Sequence, residues 1–416
     1  ADRQARTDGT VLVSPGLENF RATVRQWCRG HVPADWRTTQ TGAGDAEFVA
    51  FQKAWFAELH RSGYAVPHWP ADWGGGMSVA EQVVLYSELA AHDAPRLVLA
   101  FVGIHHAAAT LLAAGTDEQR RRHLPAILDG EIWVQGFSEP EAGSDLAALR
   151  TTARRVGDRY LVNGQKLWAS GGLHADWCLL LARTDPDAPK RHGISYFLMD
   201  MTTPGIDVRP IRNAAGDSHF CEIFLDNVEI PAANLIGGEN RGWQIAQATL
   251  GAERGMTMLE LAERLGNAGF GWLVQACGRP GPDGRRPLDD AVVRDRLAGF
   301  EIEINGLRGL CRDVIEAGTV GAADASANNV GAAGASVVKL YYSELLQRMT
   351  GFGTEIGGLA AHTRLTKPAS SGWESGSWLL DFIGSWEWTI PGGTSEIQRT
   401  IIAERGLGLP REPSVP

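Results

Sequence analysis

Residues 159–168 read Arg159-Tyr160-Leu161-Val162-Asn163-Gly164-Gln165-Lys166-Leu167-Trp168. Two short runs of strand-forming residues flank an Asn-Gly pair, the strongest short-range signal for a β-hairpin. Working outward, Trp177 to Ala182, Ile194 to Met199 and Cys221 to Val228 form further short strands bounded by Gly, Asp, Asn and Pro. No helical pattern separates them, so residues 131–240 predict a small antiparallel sheet domain and not a doubly wound one.

Both flanks are helical. Upstream, Phe48, Phe51, Trp55, Phe56 and Leu59 mark a buried helical face, and Glu81 to Ala91 and Ile104 to Leu112 continue in that style. Downstream, Val293, Leu297, Phe300, Ile304, Leu307, Cys311 and Val314 alternate steps of four and three, the a/d seam of a helix packed lengthwise in a bundle. Residues 322–335, rich in Ala, Gly and Asn, predict a loop before the next helix at Val337 to Met349. The expected fold class is α+β: an N-terminal helical domain (1–130), a middle antiparallel β domain (131–240) and a C-terminal four-helix bundle (241–416).

Composition excludes several functions. With 416 residues, 44% hydrophobic and 21% charged, the chain can bury a core and is not disordered. A net charge of -10 leaves no basic face for a phosphate backbone, so no nucleic-acid partner is expected. No apolar run approaches the ~20 residues that span a bilayer, so no membrane association is expected. The opening residues Ala1 to Arg6 carry no apolar h-region, and no signal peptide is expected. The five cysteines are scattered and none forms a C-x-x-C pair, which fits reduced thiols in a cytoplasm, with neither a metal site nor a disulfide framework.

Two apparent signatures fail on inspection. Residues 351–357 imitate a dinucleotide loop, but the third glycine comes one position late and the run follows a helical pattern. His105 and His106 are adjacent, so on a helix they point about 100° apart and chelate poorly.

Three segments carry chemistry. In Trp133 to Asp145, Pro and Gly fix an irregular loop after a strand, and Ser138 and Ser144 offer hydroxyls to the edge of a heterocycle or a phosphate. In Asn163 to Gly172, Trp168 and Ser170 set an aromatic plane beside a hydroxyl. In Ile390 to Arg399, a Gly-rich turn enters a helix capped by Thr394, an N-terminus of the kind that receives anions.

Together, in this order, these segments resemble the acyl-CoA dehydrogenase family. Gly115-Thr116-Asp117-Glu118-Gln119 with Leu124-Pro125, the Ser-Glu-Pro-x-Ala-Gly-Ser-Asp loop, the Asn-Gly-x-Lys-x-Trp segment and the closing Gly-Thr-x-x-Ile-Gln extend the likeness over nearly the whole chain. The resemblance implies FAD as cofactor, contacted by Gln135, Phe137, Ser138, Gly143 and Ser144 along the ring edge. It places Trp168 against the isoalloxazine, with Ala169 beside it and the Ser170 hydroxyl near N5. Thr394 and Glu396 would hold the cofactor from the C-terminal segment, and Ser144 and Arg254 would meet the acyl-CoA. Serines replace the usual threonines at Ser138 and Ser170.

The family's usual catalytic glutamate position is Gly392 here. A branch similar to the isovaleryl and long-chain enzymes carries that residue before an arginine on the first helix of the bundle, a position held here by Glu253, before Arg254. The resemblance thus implies a base at Glu253, hydride transfer to flavin N5, and a trans-2-enoyl-CoA product of lipid metabolism, as in fatty acid β-oxidation. Electrons would pass to an electron-transfer flavoprotein. The assembly would be a homo-oligomer, dimer or tetramer, or a heterotetramer. Arg285 is the residue expected at the FAD pyrophosphate, and Thr354 stands where a glutamine often meets the neighbour's FAD. Two alternatives stay open: an oxidase or flavin monooxygenase on the same fold, and a non-catalytic subunit that lends contacts to a sister chain.

Overall fold

The computed structural model describes residues 15–252, 256–281, 283–319, 329–361 and 374–411. The first part is helical: α1 (Pro15–His31), α2 (Trp36–Gln40), α3 (Asp45–Arg61), α4 (Val79–Ala91), a π-helical turn (Val102–Ala107), α5 (Ala108–Ala114) and α6 (Asp117–Leu128). Reciprocal capping boxes, Ser78 with Glu81 and Thr116 with Gln119, start α4 and α6 by satisfying otherwise orphaned N–H groups. Trp55, Phe56 and Leu59 of α3 are buried as their spacing predicts, with Val24, Leu85 and Leu111 of neighbouring helices in one core.

The middle of the chain is an eight-stranded sheet of order β6-β7-β3-β2-β4-β5-β8, with β1 paired to β4. Its strands are β1 (Trp133–Gly136), β2 (Thr152–Val156), β3 (Arg159–Ser170), β4 (Trp177–Arg183), β5 (Ile194–Asp200), β6 (Ile206–Ile211), β7 (Phe220–Pro231) and β8 (Leu235–Ile236). Most pairings are antiparallel; β1 and β2 each meet β4 in parallel. Strands β4 and β5 are buried on both faces. Cys178, Leu180, Phe197 and Met199 face the sheet's own core, while Leu179, Leu181, Tyr196 and Leu198 pack with the N-terminal helices. This shared layer seats the sheet on the helices.

The Asn163-Gly164 hairpin does not form. β3 runs unbroken from Arg159 to Ser170, and the turn lies earlier, between β2 and β3, at Gly157 (φ +64°) and Asp158. Asn163 instead bonds across to Asn227 on β7, its Oδ1 accepting the Asn227 N–H at 2.8 Å. Gly164 is needed for close approach: a Cβ there would sit 2.5 Å from Thr151 Oγ1. The dipeptide serves an irregularity between strands, a second use of the same backbone freedom.

The last part returns to helices: α7 (Gly242–Ala252), α8 (Met256–Arg264) leading through a π-helical turn (Leu265–Phe270) into α9 (Gly271–Cys277), then α10 (Ala291–Thr319), α11 (Asn329–Ala361), α12 (Trp378–Ser385) and α13 (Ser395–Ile401). The predicted seam is real: Leu297, Phe300, Ile304, Leu307 and Cys311 of α10 are buried against Leu259 and Leu265 of the α8 segment and Leu345, Met349 and Phe352 of α11. The Ala- and Gly-rich stretch is helical from Asn329, so residues 329–335 belong to α11 and not to a loop. Residues 351–357 lie inside α11 as well. All five cysteines are buried and free. No helix among the described residues is long and apolar enough to cross a membrane.

Candidate active site

β1 delivers Phe137, buried and edge-on to Tyr196 (5.7 Å, 85°), into the loop beyond it. The loop doubles back where Glu139 and Ala142 exchange backbone hydrogen bonds of 3.2 and 3.1 Å. The buried Glu139 carboxylate accepts from the N–H groups of Arg150 (2.6 Å) and Thr151 (2.9 Å) and from Lys166 Nζ (2.8 Å). Lys166, fully buried on β3, also donates to the Phe137 carbonyl at 3.1 Å. Burial would raise the Glu139 pKa, but the Lys166 charge and the donated N–H groups outweigh it and hold the carboxyl below the ordinary range. Neither residue stands out in the sequence as a site residue, although a signal was present. Lys166 shares the inward parity of Tyr160 and Val162, where an ammonium must find a partner.

The end of β3 meets this loop. Leu167 donates its N–H to the Ser138 carbonyl at 2.9 Å. Opposite β7 the pairing jumps from Lys166↔Ile223 to Ala169↔Cys221, so three steps on β3 oppose two on β7 and a bulge falls at Leu167 and Trp168. Trp168 adopts φ +64°, a left-handed backbone that costs a non-glycine residue about 1–3 kcal/mol. The bulge keeps Ala169 buried while Trp168 and Ser170 face outward; Trp168 is 55% exposed. Its indole meets Phe220 edge-on (6.0 Å, 88°) and stays largely exposed, an aromatic plane beside two serines.

The third segment approaches the same edge. The Gly171 N–H donates to the His219 carbonyl at 2.7 Å, and the His219 imidazole lies 3.6 Å from the Glu387 carboxylate, three residues before Ile390. Thr394 caps α13, its hydroxyl accepting from the Ile397 N–H at 3.2 Å. Buried Gln398 donates to the Gly392 carbonyl (2.7 Å), and Lys339 of α11 donates to the Gly393 carbonyl (2.8 Å). Glu396 is exposed in the first turn of α13, where backbone and Thr394 hydrogen bonds hold its carboxyl below the usual range. Thr394, Glu396, Trp386 and Arg399 line an open pocket of ≈ 410 Å³.

The structure thus gathers Gln135, Phe137, Ser138, Trp168, Ala169 and Ser170 into one unit, with Thr394 and Glu396 on a neighbouring segment. Gly143 and Ser144 stand exposed on the outer limb of the loop. Arg285 is exposed on the turn before α10, and no hydrogen bond or ion pair among the described residues joins it to that unit. Glu253 and Arg254 lie outside the described residues. The Thr354 hydroxyl is spent inside the bundle, donating to the Thr350 and Trp378 carbonyls.

Helical regions thus precede and follow a mostly antiparallel sheet in the chain, and an exposed indole and hydroxyls gather where that sheet meets the C-terminal segment, an arrangement suited to holding a planar cofactor. The N-terminal, middle and C-terminal domains of acyl-CoA dehydrogenases match residues 14–131, 135–228 and 240–407. The chain is 35% identical over 411 residues to acyl-CoA dehydrogenase IpdE1 of Mycolicibacterium smegmatis, covering 95% of this chain and 98% of that protein. The Tcur3481-Tcur3483 steroid ACAD superposes with a TM-score of 0.80 at 29% identity, covering 95% and 98%. The ChsE4-ChsE5 complex from Mycobacterium tuberculosis gives 0.79 at 30%, covering 96% and 99%. The chain belongs to the acyl-CoA dehydrogenase family, oxidoreductases acting on CH–CH groups with FAD as cofactor.

The residues present fit that cofactor. Gln135 Nε2 is buried with no hydrogen-bond partner among the described residues, an arrangement that costs free energy until an acceptor arrives. It lies on β1, three residues before Ser138, whose carbonyl accepts from Leu167 beside Trp168, so a ring with acceptors along its edge would satisfy it. Ser395 Oγ and Gln398 Oε1 are in the same condition in the C-terminal segment.

Proposed function

We propose that this chain removes the α-proton and β-hydride of an acyl-CoA thioester, yielding the trans-2-enoyl-CoA. The observation that carries this reading is the fusion of two segments through the Leu167–Ser138 hydrogen bond, which sets the uncovered Trp168 ring beside Ser138 and Ser170. FAD, when bound, supplies the hydride acceptor. The chain's own part is to hold that cofactor between Gln135, Phe137, Ser138, Gly143, Ser144, Trp168, Ala169 and Ser170 on one side and Thr394 and Glu396 on the other. Arg285 is assigned to its pyrophosphate, and Ser144 and Arg254 to the acyl-CoA.

Glu253 is assigned as the base that takes the α-proton. A free glutamate, with pKa about 4.3, is a weak base, and desolvation by a bound acyl chain raises it toward the working pH. The backbone at Gly392 supports this assignment: at φ +66° it disfavours any side chain, so a glutamate there would be strained. The three parts 1–130, 131–240 and 241–416 are read as domains around this site.

A bulky acyl group is the proposed substrate, because similar structures include a steroid ACAD. The partner is an electron-transfer flavoprotein, in a cytoplasm. The assembly is a homo-oligomer or a heteromer like the ChsE4-ChsE5 complex. The test is an anaerobic panel of short, branched, long and polycyclic acyl-CoAs added to the purified yellow protein. Bleaching by at least one class is expected; none bleaching the chain alone would favour a non-catalytic subunit.

A further inference from the structure

Trp168 is held in a conformation that its own side chain disfavours, and something nearby must enforce it. A bulge can slide along a strand unless both its ends are pinned. On the downstream side Ala169 is buried opposite Cys221, and the Gly171 N–H is tied to the His219 carbonyl. On the upstream side stands Lys166, completely buried, its ammonium between Glu139 Oε1 (2.8 Å) and the Phe137 carbonyl (3.1 Å). Glu139 is itself immobilised by the Arg150 and Thr151 N–H groups. Sliding the bulge past Lys166 would take the ammonium off its carboxylate partner among the described residues and strand both charges in the interior, which is far costlier than the strain at Trp168.

We propose that the buried Lys166–Glu139 ion pair is a positioning device: it locks the extra residue of β3 at Trp168 and so keeps the indole facing outward beside Ser138 and Ser170. Lys166 and Glu139 do not touch the cofactor; they act through Trp168. The inference rests on reading Trp168 as a flavin contact.

The test is a double-mutant cycle on the full chain: parent, Lys166→Met, Trp168→Gly and the double variant, each stripped of FAD and titrated with it. Folding is checked by far-UV circular dichroism. Lys166→Met is expected to weaken FAD binding about tenfold and to alter the flavin absorption envelope, which a simple loss of stability would not do. In the Trp168→Gly background, where glycine takes the left-handed backbone freely and no ring is left to aim, the same change should weaken binding less than about threefold. Equal weakening in both backgrounds, or none in either, overturns the proposal. If Lys166→Met fails to fold, the same cycle with Glu139→Gln decides by the same criteria. A parent that takes up no FAD refutes the proposed function instead. The crystal structure of Lys166→Met then decides alone: Trp168 must leave the left-handed region, and its retention there overturns the proposal.

Discussion

The Arg264 guanidinium on α8 lies 2.9 Å from the Ala94 carbonyl of the N-terminal helical region and 3.5 Å from the Glu374 carboxylate ahead of α12. Arg37 reaches the same glutamate from α2, with its Oε2 at 3.7 Å, while also pairing with Asp93. Helices far apart in sequence are therefore joined by one buried charged cluster, on top of their apolar contacts.

That cluster predicts unequal costs for its members. Arg264→Leu leaves Glu374 and Ala94 buried without their main donor and should cost about 3–5 kcal/mol. Burial already pushes the Glu374 pKa up against the pull of Arg264, Arg96 and Arg37, so its neutral form is comparatively accessible. Glu374→Gln should therefore cost less than half as much as Arg264→Leu. Denaturant unfolding of the two variants checks the order; equal losses would contradict it.

Ser138→Ala tests the loop. The backbone carbonyl that accepts from Leu167 survives the substitution, so the fold should be unchanged. Loss of one hydroxyl contact contributes about 0.5–1.5 kcal/mol, which should weaken FAD binding by roughly two- to twelvefold. Equilibrium titration of the apoprotein measures it, and unaltered affinity would remove Ser138 from the site.

How much of this was legible in the sequence differs by element. The α10 seam was readable because one periodicity, repeated from Val293 to Val314, reports one buried stripe. The Asn163-Gly164 turn was misplaced because Asn-Gly signals backbone freedom, not where the chain reverses, and Thr151 pressing on Gly164 is a long-range fact. The outward face of Trp168 was hidden for a related reason. Simple alternation from Lys166 points residue 168 inward, and only the pairing with β7 shows the extra residue that turns it out. Likewise Glu139 and Lys166 stood in the quoted motifs, but their pairing is a property of the folded sheet.

The Glu139–Lys166 pair also sets a pH dependence. Because the folded-state pKa of Glu139 lies below its ordinary 4.5, its ionised form stabilises the native chain above about that pH. The contribution is lost as the pH falls through the lower, folded-state value. The stability difference between parent and Glu139→Gln is thus expected to stay flat from about pH 7 to 5 and shrink below 4.5. A difference that grows on acidification would reverse the sign and rule out the ionised pair.

The last prediction concerns the base. Glu253→Gln keeps volume and polarity while removing basicity, so the protein should fold, stay yellow and bind acyl-CoA. Its anaerobic flavin reduction, followed by stopped flow with the best substrate, should slow by about 10²–10⁴, the range for a lost general base. Adding Gly392→Glu to this variant asks whether a carboxylate on the C-terminal segment can take over. Among the described residues no heavy atom lies within 4 Å of a Cβ placed at Gly392, so they leave room for the side chain. The backbone there is at φ +66°, however, and a glutamate would cost about 1–2 kcal/mol of stability. Partial recovery of the rate, with a lowered unfolding midpoint, is therefore expected, and recovery should stay well below the parent. Flavin reduction at the parental rate in Glu253→Gln would dismiss Glu253 as the base and move the search to another acidic residue or to a partner subunit.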